Sequence, residues 1–321
     1  MELRTKVTLN DAANSSYEYL VKEGFKLIAP TEYQTLYSYN ADNQFHELSS
    51  TTCVIWAFAY KALYKIIKGY LITVWFYRDG EIFFYIHRPQ KLECSIAEII
   101  DLLYNLSLAC GLKSLKIWPI EKRFLEEFKS VTGYNIETVY SENMSEYRYL
   151  VSDFIQLEGR KNMYKRKRLK KLFEMNSNIE FKILSKDNFN YCFDIEDDWC
   201  KDQDCKICDD FGNGCAKDSL IQMHAIFDEN IHSGIIGFID NKPAGYAIWD
   251  KIKDDTYIAY YSKATVQNLN MLLYYTMVKD HMQDAKYLNI GPDMGKEGLR
   301  NFKQHLSEYE MQDKYLCTFK K

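Results

Sequence analysis

The stretch that decides the fold is NIGPDMGKEGLRNFK, residues 289–303, which follows the apolar pair Tyr287-Leu288. A strand that ends just before an amphipathic helix places unpaired N–H groups and the positive end of a helix dipole at the junction. Three glycines within the stretch let the backbone turn and approach a ligand closely. The sequence therefore predicts a strand–turn–helix unit that favours an anionic group.

Four charged side chains of this stretch are candidate site residues. Asp293 is the first candidate for a proton acceptor and Glu297 the second, because no other nearby group could take a proton. Arg300 and Lys303 could hold a phosphate or a developing oxyanion. A plain capped helix, with Asp293 as N-cap and Glu297 in the first turn, explains the same residues.

The stretch resembles the closing motif of the phosphatidylglycerol lysyltransferase C-terminal domain family, which reads approximately Asn-Arg-Glu-x-Asp-Leu-Gly-x-x-Gly-Leu-Arg-x-x-Lys. The matching positions are Asn289, Asp293, Gly295, Gly298, Leu299, Arg300 and Lys303. A second match joins EYRY at 146–149, DFIQLEGRK at 153–161 and Lys165-Arg166, and a third is Lys263-Ala264 after a strand. All three agree in order and spacing over roughly residues 45 to 320.

The resemblance implies two GNAT-type (acetyltransferase-like) domains in tandem and transfer of an aminoacyl group from charged tRNA to a membrane lipid. It adds Lys263 and Asn289 to the candidate substrate-binding residues. Several polar positions of the family differ here: its Glu before the lysine is Ser262, its Asp is Thr265, and its Arg-Glu is Ile290-Gly291. A weakened, altered or absent activity therefore stays open.

Length and composition fit two domains with sizeable cores, since the chain has 321 residues of which 47% are apolar. The net charge of −4 makes no general case for nucleic acid. No apolar run approaches the ~20 residues that cross a bilayer, and the N-terminus does not resemble a signal peptide. We expect a cytoplasmic protein without a transmembrane segment, a feature that puts a lipid acceptor in doubt.

The same order of elements occurs in both halves of the sequence. Each half contains a strand hairpin, a further strand, amphipathic helices and a last strand, and the closing strand of the second half is 314–319. The pattern predicts an α+β protein with two tandem GNAT-like domains, each a mixed, mostly antiparallel sheet flanked by helices. The predicted domains are 1–150 and 151–321, the second with a basic helix and a cysteine-rich insertion.

A basic helix is predicted within residues 153–175. Residues 160–171 hold eight basic side chains and no acidic one. Like charges this close repel each other, so a polyanion such as a tRNA acceptor arm would stabilise the helix. The candidate contacts are Arg160, Lys161, Lys165 and Arg166. A solvated helix paired with the acidic segment further along the chain is the alternative.

Four cysteines, Cys200, Cys205, Cys208 and Cys215, are spaced C-x4-C-x2-C-x6-C. Closely spaced thiols without a secretory signal indicate a structural zinc site, with an iron–sulfur cluster as the second choice, although only one C-x2-C pair is present. Reduced or partly oxidised thiols in a surface loop are the alternative.

The loop before the long second-half helix argues against acetyl-CoA as the donor. GNAT-type enzymes that use acyl-CoA have a glycine-rich loop there, whereas residues 267–272 read QNLNML. Aminoacyl transfer needs only positioning of two substrates and removal of a proton. The sequence favours a soluble aminoacyltransferase with an unknown small-molecule or lipid-headgroup acceptor. An acyl-CoA-dependent N-acetyltransferase and a non-catalytic polyanion-binding protein are the alternatives.

Overall fold

A computed structural model of the chain describes residues 8–39, 45–89, 91, 93–202, 215–253 and 255–321. These residues form two compact units. The first comprises the described residues within Met1–Glu142, Gly212–Met223 and Gln312–Lys321, and the second those within Asn143–Phe211 and His224–Met311.

The first unit is built on a seven-stranded sheet with the order β1-β2-β3-β4-β5-β14-β6. The strands are β1 (Lys26–Leu27), β2 (Leu63–Ile67), β3 (Tyr70–Phe76), β4 (Ile82–His87), β5 (Leu115–Glu121), β6 (Asn135–Tyr140) and β14 (Lys314–Lys320). The helices are α1 (Asp11–Lys22), α2 (Tyr33–Tyr37), α3 (Ser50–Tyr60), α4 (Ile96–Ala109) and α5 (Leu125–Lys129). Its strands are antiparallel neighbours except β4 and β5, which are parallel.

The second unit is built on a seven-stranded sheet with the order β13-β7-β12-β11-β10-β9-β8. The strands are β7 (Glu146–Leu150), β8 (Ile179–Ile183), β9 (His232–Ile239), β10 (Lys242–Lys253), β11 (Thr256–Ala264), β12 (Tyr287–Pro292) and β13 (Tyr309–Gln312). The helices are α6 (Val151–Phe154), α7 (Met163–Met175), α8 (Asn190–Asp202), α10 (Leu269–His281) and α11 (Glu297–Gln304). A further helix, α9 (Ala216–Ile226), follows α8 along the chain.

The predicted fold class is confirmed, because both sheets are mixed, mostly antiparallel and flanked by helices. The predicted place of the last strand is wrong: β14 lies in the first sheet between β5 and β6, not with the second half. Cys317 and Phe319 on β14 are fully buried in the core of the first unit, which explains why the strand pairs there. The domain division at residue 150 stays a prediction.

The prediction that residues 153–175 form one long helix, including its start, is wrong. The chain forms the short helix α6, leaves helical geometry, and starts again at Met163. Gly159 has a φ of +82°, a left-handed conformation that interrupts a helix. The carbonyl groups released by the break are bonded by two basic side chains of α7, as described below.

Buried neutral histidines predict a loss of stability in mild acid. Burial lowers the pKa of His87 from 6.5 to about 4, and burial likewise lowers that of His232 to about 4. The unfolded chain therefore binds more protons between pH 6.5 and 4, so stability is complete above pH 6.5 and falls as the pH drops towards 4. For His87 alone the loss is about 3 kcal/mol.

Denaturant unfolding at pH 7.5 and pH 5 measures this dependence. The variant His87→Gln is expected to flatten it, whereas His305→Gln, which alters an exposed histidine, should leave it unchanged. An identical pH dependence in wild type and His87→Gln would contradict the prediction.

Candidate active site in the second unit

The parallel strands β11 and β12 pair only at their beginnings. The register runs from Thr256 opposite Tyr287 to Ile258 opposite Asn289, and no pairing follows. Beyond this point β11 continues to Ala264 and pairs with β10, while β12 turns towards α11. The two neighbouring strands therefore diverge beyond Ile258 and Asn289.

Asp293 lies at the end of this opening, and its carboxylate is fully engaged. Oδ2 accepts hydrogen bonds from Tyr147 at 2.7 Å and from Nε of Arg300 at 2.8 Å. Oδ1 accepts from the N–H of Gly295 at 2.8 Å and from Nη2 of Arg300 at 3.1 Å. Burial acts to raise the pKa of Asp293, but these bonds outweigh it and the pKa is lowered. The geometry favours a structural role, and proton acceptance by Asp293 stays a prediction.

Arg300 and Lys303, the two predicted anion-binding residues of the closing motif, also have protein partners. Arg300 bonds Asn143 Oδ1 at 2.8 Å besides its pair with Asp293. Lys303 is buried, and its ammonium group donates to the carbonyl oxygens of Ile290, Gly291 and Pro292 at 2.6, 2.9 and 2.8 Å. An ammonium group has three donors. Lys303 thus supports the end of β12, a geometry that does not favour its predicted role in substrate binding.

Asn289 is fully buried and is the last residue of β12 that pairs with β11. Its side chain donates to Glu146 on β7 and accepts from the N–H of Gly291 at 2.8 Å. Gly291 has a φ of +70°, which a residue with a side chain rarely adopts. Asn289 therefore shapes the turn into the closing motif.

Lys263 lies on the part of β11 beyond its pairing with β12 and contacts a buried acidic residue. Its ammonium nitrogen is 3.4 Å from Oε1 of Glu196 on α8 and 3.3 Å from the ring centre of Trp199. Tyr246, directly opposite Lys263 on β10, donates to Oε2 of Glu196 at 3.0 Å. Burial first, and then the Glu196 charge, raises the pKa of Tyr246 well above its usual value, so the phenol keeps its proton.

Lys296 is the N-cap residue of α11. Burial lowers the pKa of Lys296, and the charge of Lys263 lowers it further. Two ammonium groups therefore share one electrostatic environment at the diverging strands. Glu297, the second predicted proton acceptor, is exposed in the first turn of α11.

The predicted polyanion contacts fall into two groups. Lys165 is buried and donates to the carbonyls of Phe154 at a short distance and Gln156 at 3.3 Å. Arg166 bonds the carbonyls of Leu157 and Gly159, the latter at 2.7 Å. Both side chains bond carbonyl groups at the break between α6 and α7, a geometry that does not favour their predicted contact with a polyanion, and that role stays a prediction.

The remaining cations of the basic segment face solvent. Arg160 and Lys161 are exposed, and Lys161 forms an ion pair with Glu308 at 2.8 Å. Lys167 and Lys171 are exposed on α7. Arg168 reaches Asn268 at 2.9 Å, so the basic helix contacts the loop that follows β11.

An open groove runs between α7 and α10. Apolar residues dominate its lining: Leu157, Met163, Leu169, Phe173 and Leu272. Met163 and Phe173 are 60% and 54% exposed. Arg166, Lys167 and Lys170 also border the groove. The surface of α7 is therefore amphipathic, with cations beside exposed apolar side chains.

The predicted zinc ligands are only partly within the described residues. Cys200 and Cys215 are buried, whereas Cys205 and Cys208 lie outside the described residues. In the described ranges, no group of three or more His, Cys, Asp or Glu side chains could hold a metal. The zinc site stays a prediction.

Comparison with known proteins supports the resemblance noted in the sequence. Residues 41–318 match the family described as phosphatidylglycerol lysyltransferase, C-terminal. The chain belongs to this family. No curated protein matches it. None of the helices in the described ranges is long and apolar enough to cross a membrane.

Three solved structures share the fold. A conserved protein of unknown function from Bacteroides thetaiotaomicron has 19% identity and a TM-score of 0.82, covering 92% of this chain and 99% of its own. The C-terminal domain of a proposed lysylphosphatidylglycerol synthetase from Agrobacterium fabrum has 10% identity and a TM-score of 0.64, covering 90% and 92%. L-PGS from Bacillus licheniformis has 12% identity and a TM-score of 0.56, covering 98% and 93%.

Sequence reasoning missed Glu196, Trp199 and Lys296. Neither Glu196 nor Trp199 was singled out as a candidate site residue. The spacing of Glu196 and Trp199 could have indicated that they act together, because positions i and i+3 lie on the same face of a helix. Lys296 was within the quoted closing motif but was not singled out.

Proposed function

We propose that the protein transfers an aminoacyl group from charged tRNA to an acceptor, at the opening between β11 and β12. The supporting observation is that β11 and β12 stop pairing after Ile258 and Asn289, with Lys263 further along β11 and Lys296 at the N-cap of α11, the helix that follows β12. These two cations could stabilise the oxyanion formed when an ester carbonyl is attacked. The acceptor nucleophile forms a bond to that carbonyl carbon, and the bond to the tRNA ribose oxygen breaks. The acceptor's proton passes to the departing ribose oxygen.

The basic helix is the proposed contact for the tRNA. Its exposed cations match a phosphate backbone, and Arg168 links it to the loop after β11. That loop has Asn268 in a left-handed conformation with a φ of 71° in place of a glycine-rich phosphate loop. The absence of glycine there favours an aminoacyl ester over an acyl-CoA as donor.

The groove between α7 and α10 suits an acceptor that joins an apolar part to an anionic group, as a phospholipid does. Its lining is mainly apolar and its border is cationic. Transfer assays should therefore include phosphatidylglycerol vesicles as well as water-soluble amines. Radiolabel that moves from aminoacyl-tRNA to neither class of acceptor would contradict the proposal.

Charge reversal on α7 tests the tRNA contact. Lys167→Glu combined with Lys171→Glu is expected to weaken aminoacyl-tRNA binding by roughly 10-fold or more, because two phosphate contacts become repulsive. The measurement is filter binding at several salt concentrations, where the wild-type affinity should fall steeply with salt. Lys165 is left unchanged, since a buried residue would confuse binding with folding.

A matched control carries the same change of charge elsewhere. Lys22→Glu combined with Lys26→Glu alters two exposed lysines of the first unit and should change the affinity far less. Equal losses in both double variants would show that net charge, not the α7 surface, governs binding.

A further inference from the structure

One oxygen of Glu196 is buried without a hydrogen bond. Glu196 is fully buried, and among the described residues no group donates a hydrogen bond to its Oε1. The ammonium group of Lys263 is 3.4 Å away but does not have the alignment of a hydrogen bond. A buried carboxylate oxygen is normally bonded, so this position is suited to a further N–H donor.

An aromatic face lies beside the same oxygen. Trp199 is half-buried, and the Lys263 ammonium nitrogen is 3.3 Å from the centre of its ring. A cation over the face of an indole ring is attracted by the ring quadrupole. The side chain of Lys263 is 20% exposed, so solvent reaches this position. Lys263 therefore occupies a place that another ammonium group could take.

The surrounding charges match one kind of ligand. Glu196 and Trp199 favour an ammonium group, whereas Lys263 favours an oxygen with negative charge. An aminoacyl ester has its ammonium group and its carbonyl oxygen on adjacent carbon atoms. It presents both groups at the short separation that this cluster requires.

We infer that Glu196 and Trp199 bind the α-ammonium group of the aminoacyl unit, with Tyr246 holding the second oxygen of Glu196 in place. The ligand ammonium replaces that of Lys263, and Lys263 turns towards the carbonyl oxygen. This inference rests on the proposed function, because it assigns the ligand of the same site. Tyr246 acts as a positioning residue, since it reaches the ligand only through Glu196.

Equilibrium binding of amino-acid amides tests the subsite without tRNA. The probes are the amides of the common amino acids, and the tightest is compared with its counterpart lacking the α-amino group. Isothermal titration should show binding of the amide and at least 10-fold weaker binding of the counterpart. Glu196→Gln keeps a hydrogen-bond partner for Tyr246 but removes the charge, and it should lower the affinity for the amide by about 10- to 100-fold.

Two further variants make the result decisive. Asp194→Asn removes an exposed carboxylate from the same helix and should leave the affinity unchanged. Trp199→Leu keeps apolar volume but removes the ring, and should weaken binding roughly 3- to 30-fold even if Glu196→Gln does not fold. Circular dichroism melting checks the fold of each variant.

Each outcome decides the inference separately from the proposed function. Amide binding that depends on Glu196 and Trp199 supports the subsite, even if no transfer from aminoacyl-tRNA is found. No amide binding at millimolar concentration, or equal affinity in wild type, Glu196→Gln and Trp199→Leu, overturns the subsite. In that case transfer from aminoacyl-tRNA would still support the proposed function.

Discussion

Replacing Lys303 with methionine is expected to destabilise the second unit by about 3–5 kcal/mol. Methionine has a similar length and is apolar, so the buried space stays filled. The change removes three hydrogen bonds to the carbonyl groups of Ile290, Gly291 and Pro292. Those oxygens lie at the end of β12, where pairing with β11 has already ended. In the variant these carbonyl oxygens lose a charged hydrogen-bond donor, and water replaces it poorly because the position is buried.

Hydrogen exchange of peptides covering 287–304 measures the effect at the site itself. We expect faster exchange there in Lys303→Met, while peptides of the first sheet exchange as in the wild type. Lys279→Met, on the exposed side of α10, is the matched control and should stay within about 0.5 kcal/mol of the wild type. Unchanged exchange in Lys303→Met would contradict the structural role of its ammonium group.

Strands with clear turn signals were predictable from the sequence. The hairpin predicted in the first half is formed by β3 and β4, which are joined at Asp79-Gly80. In these segments the local pattern and the tertiary structure demand the same conformation. The local sequence pattern does not show to which sheet a strand belongs. β14 pairs with β5 and β6 because its side chains complete the first core, a long-range effect that local periodicity does not carry.

The roles of charged residues were less predictable than the fold. The count of cations in residues 160–171 indicated a binding surface, but Lys165 folds back onto the carbonyl of Phe154. A long, flexible side chain can satisfy its own backbone as well as a ligand, and sequence does not distinguish the two. The position of Glu196 against Lys263 likewise depends on how α8 packs on β10 and β11, which lie far along the chain.

Replacing Asp293 with asparagine distinguishes a structural carboxylate from a catalytic one. The ion pair between Asp293 and Arg300 should contribute about 2–3 kcal/mol to the free energy of unfolding. This is less than a fully buried pair would contribute, because the side chain of Arg300 is 33% exposed. The lowered pKa of Asp293 makes this contribution depend on pH. It is complete above the ordinary carboxyl pKa of 3.8 and is lost as the pH falls through the lower pKa of the folded state. The variant Asp293→Asn should abolish this acid dependence.

Arg300→Met is the partner variant that makes the comparison decisive. If Asp293 is structural, both single variants lose similar stability and the double variant loses less than their sum, because one interaction is removed twice. Their transfer activities should then fall together. If Asp293 accepts the proton, Asp293→Asn alone should reduce transfer by ~10²–10⁴ while tRNA binding and stability survive. The four bonds to its oxygens favour the first result, since a carboxylate with no open acceptor position must break a bond before it can take a proton.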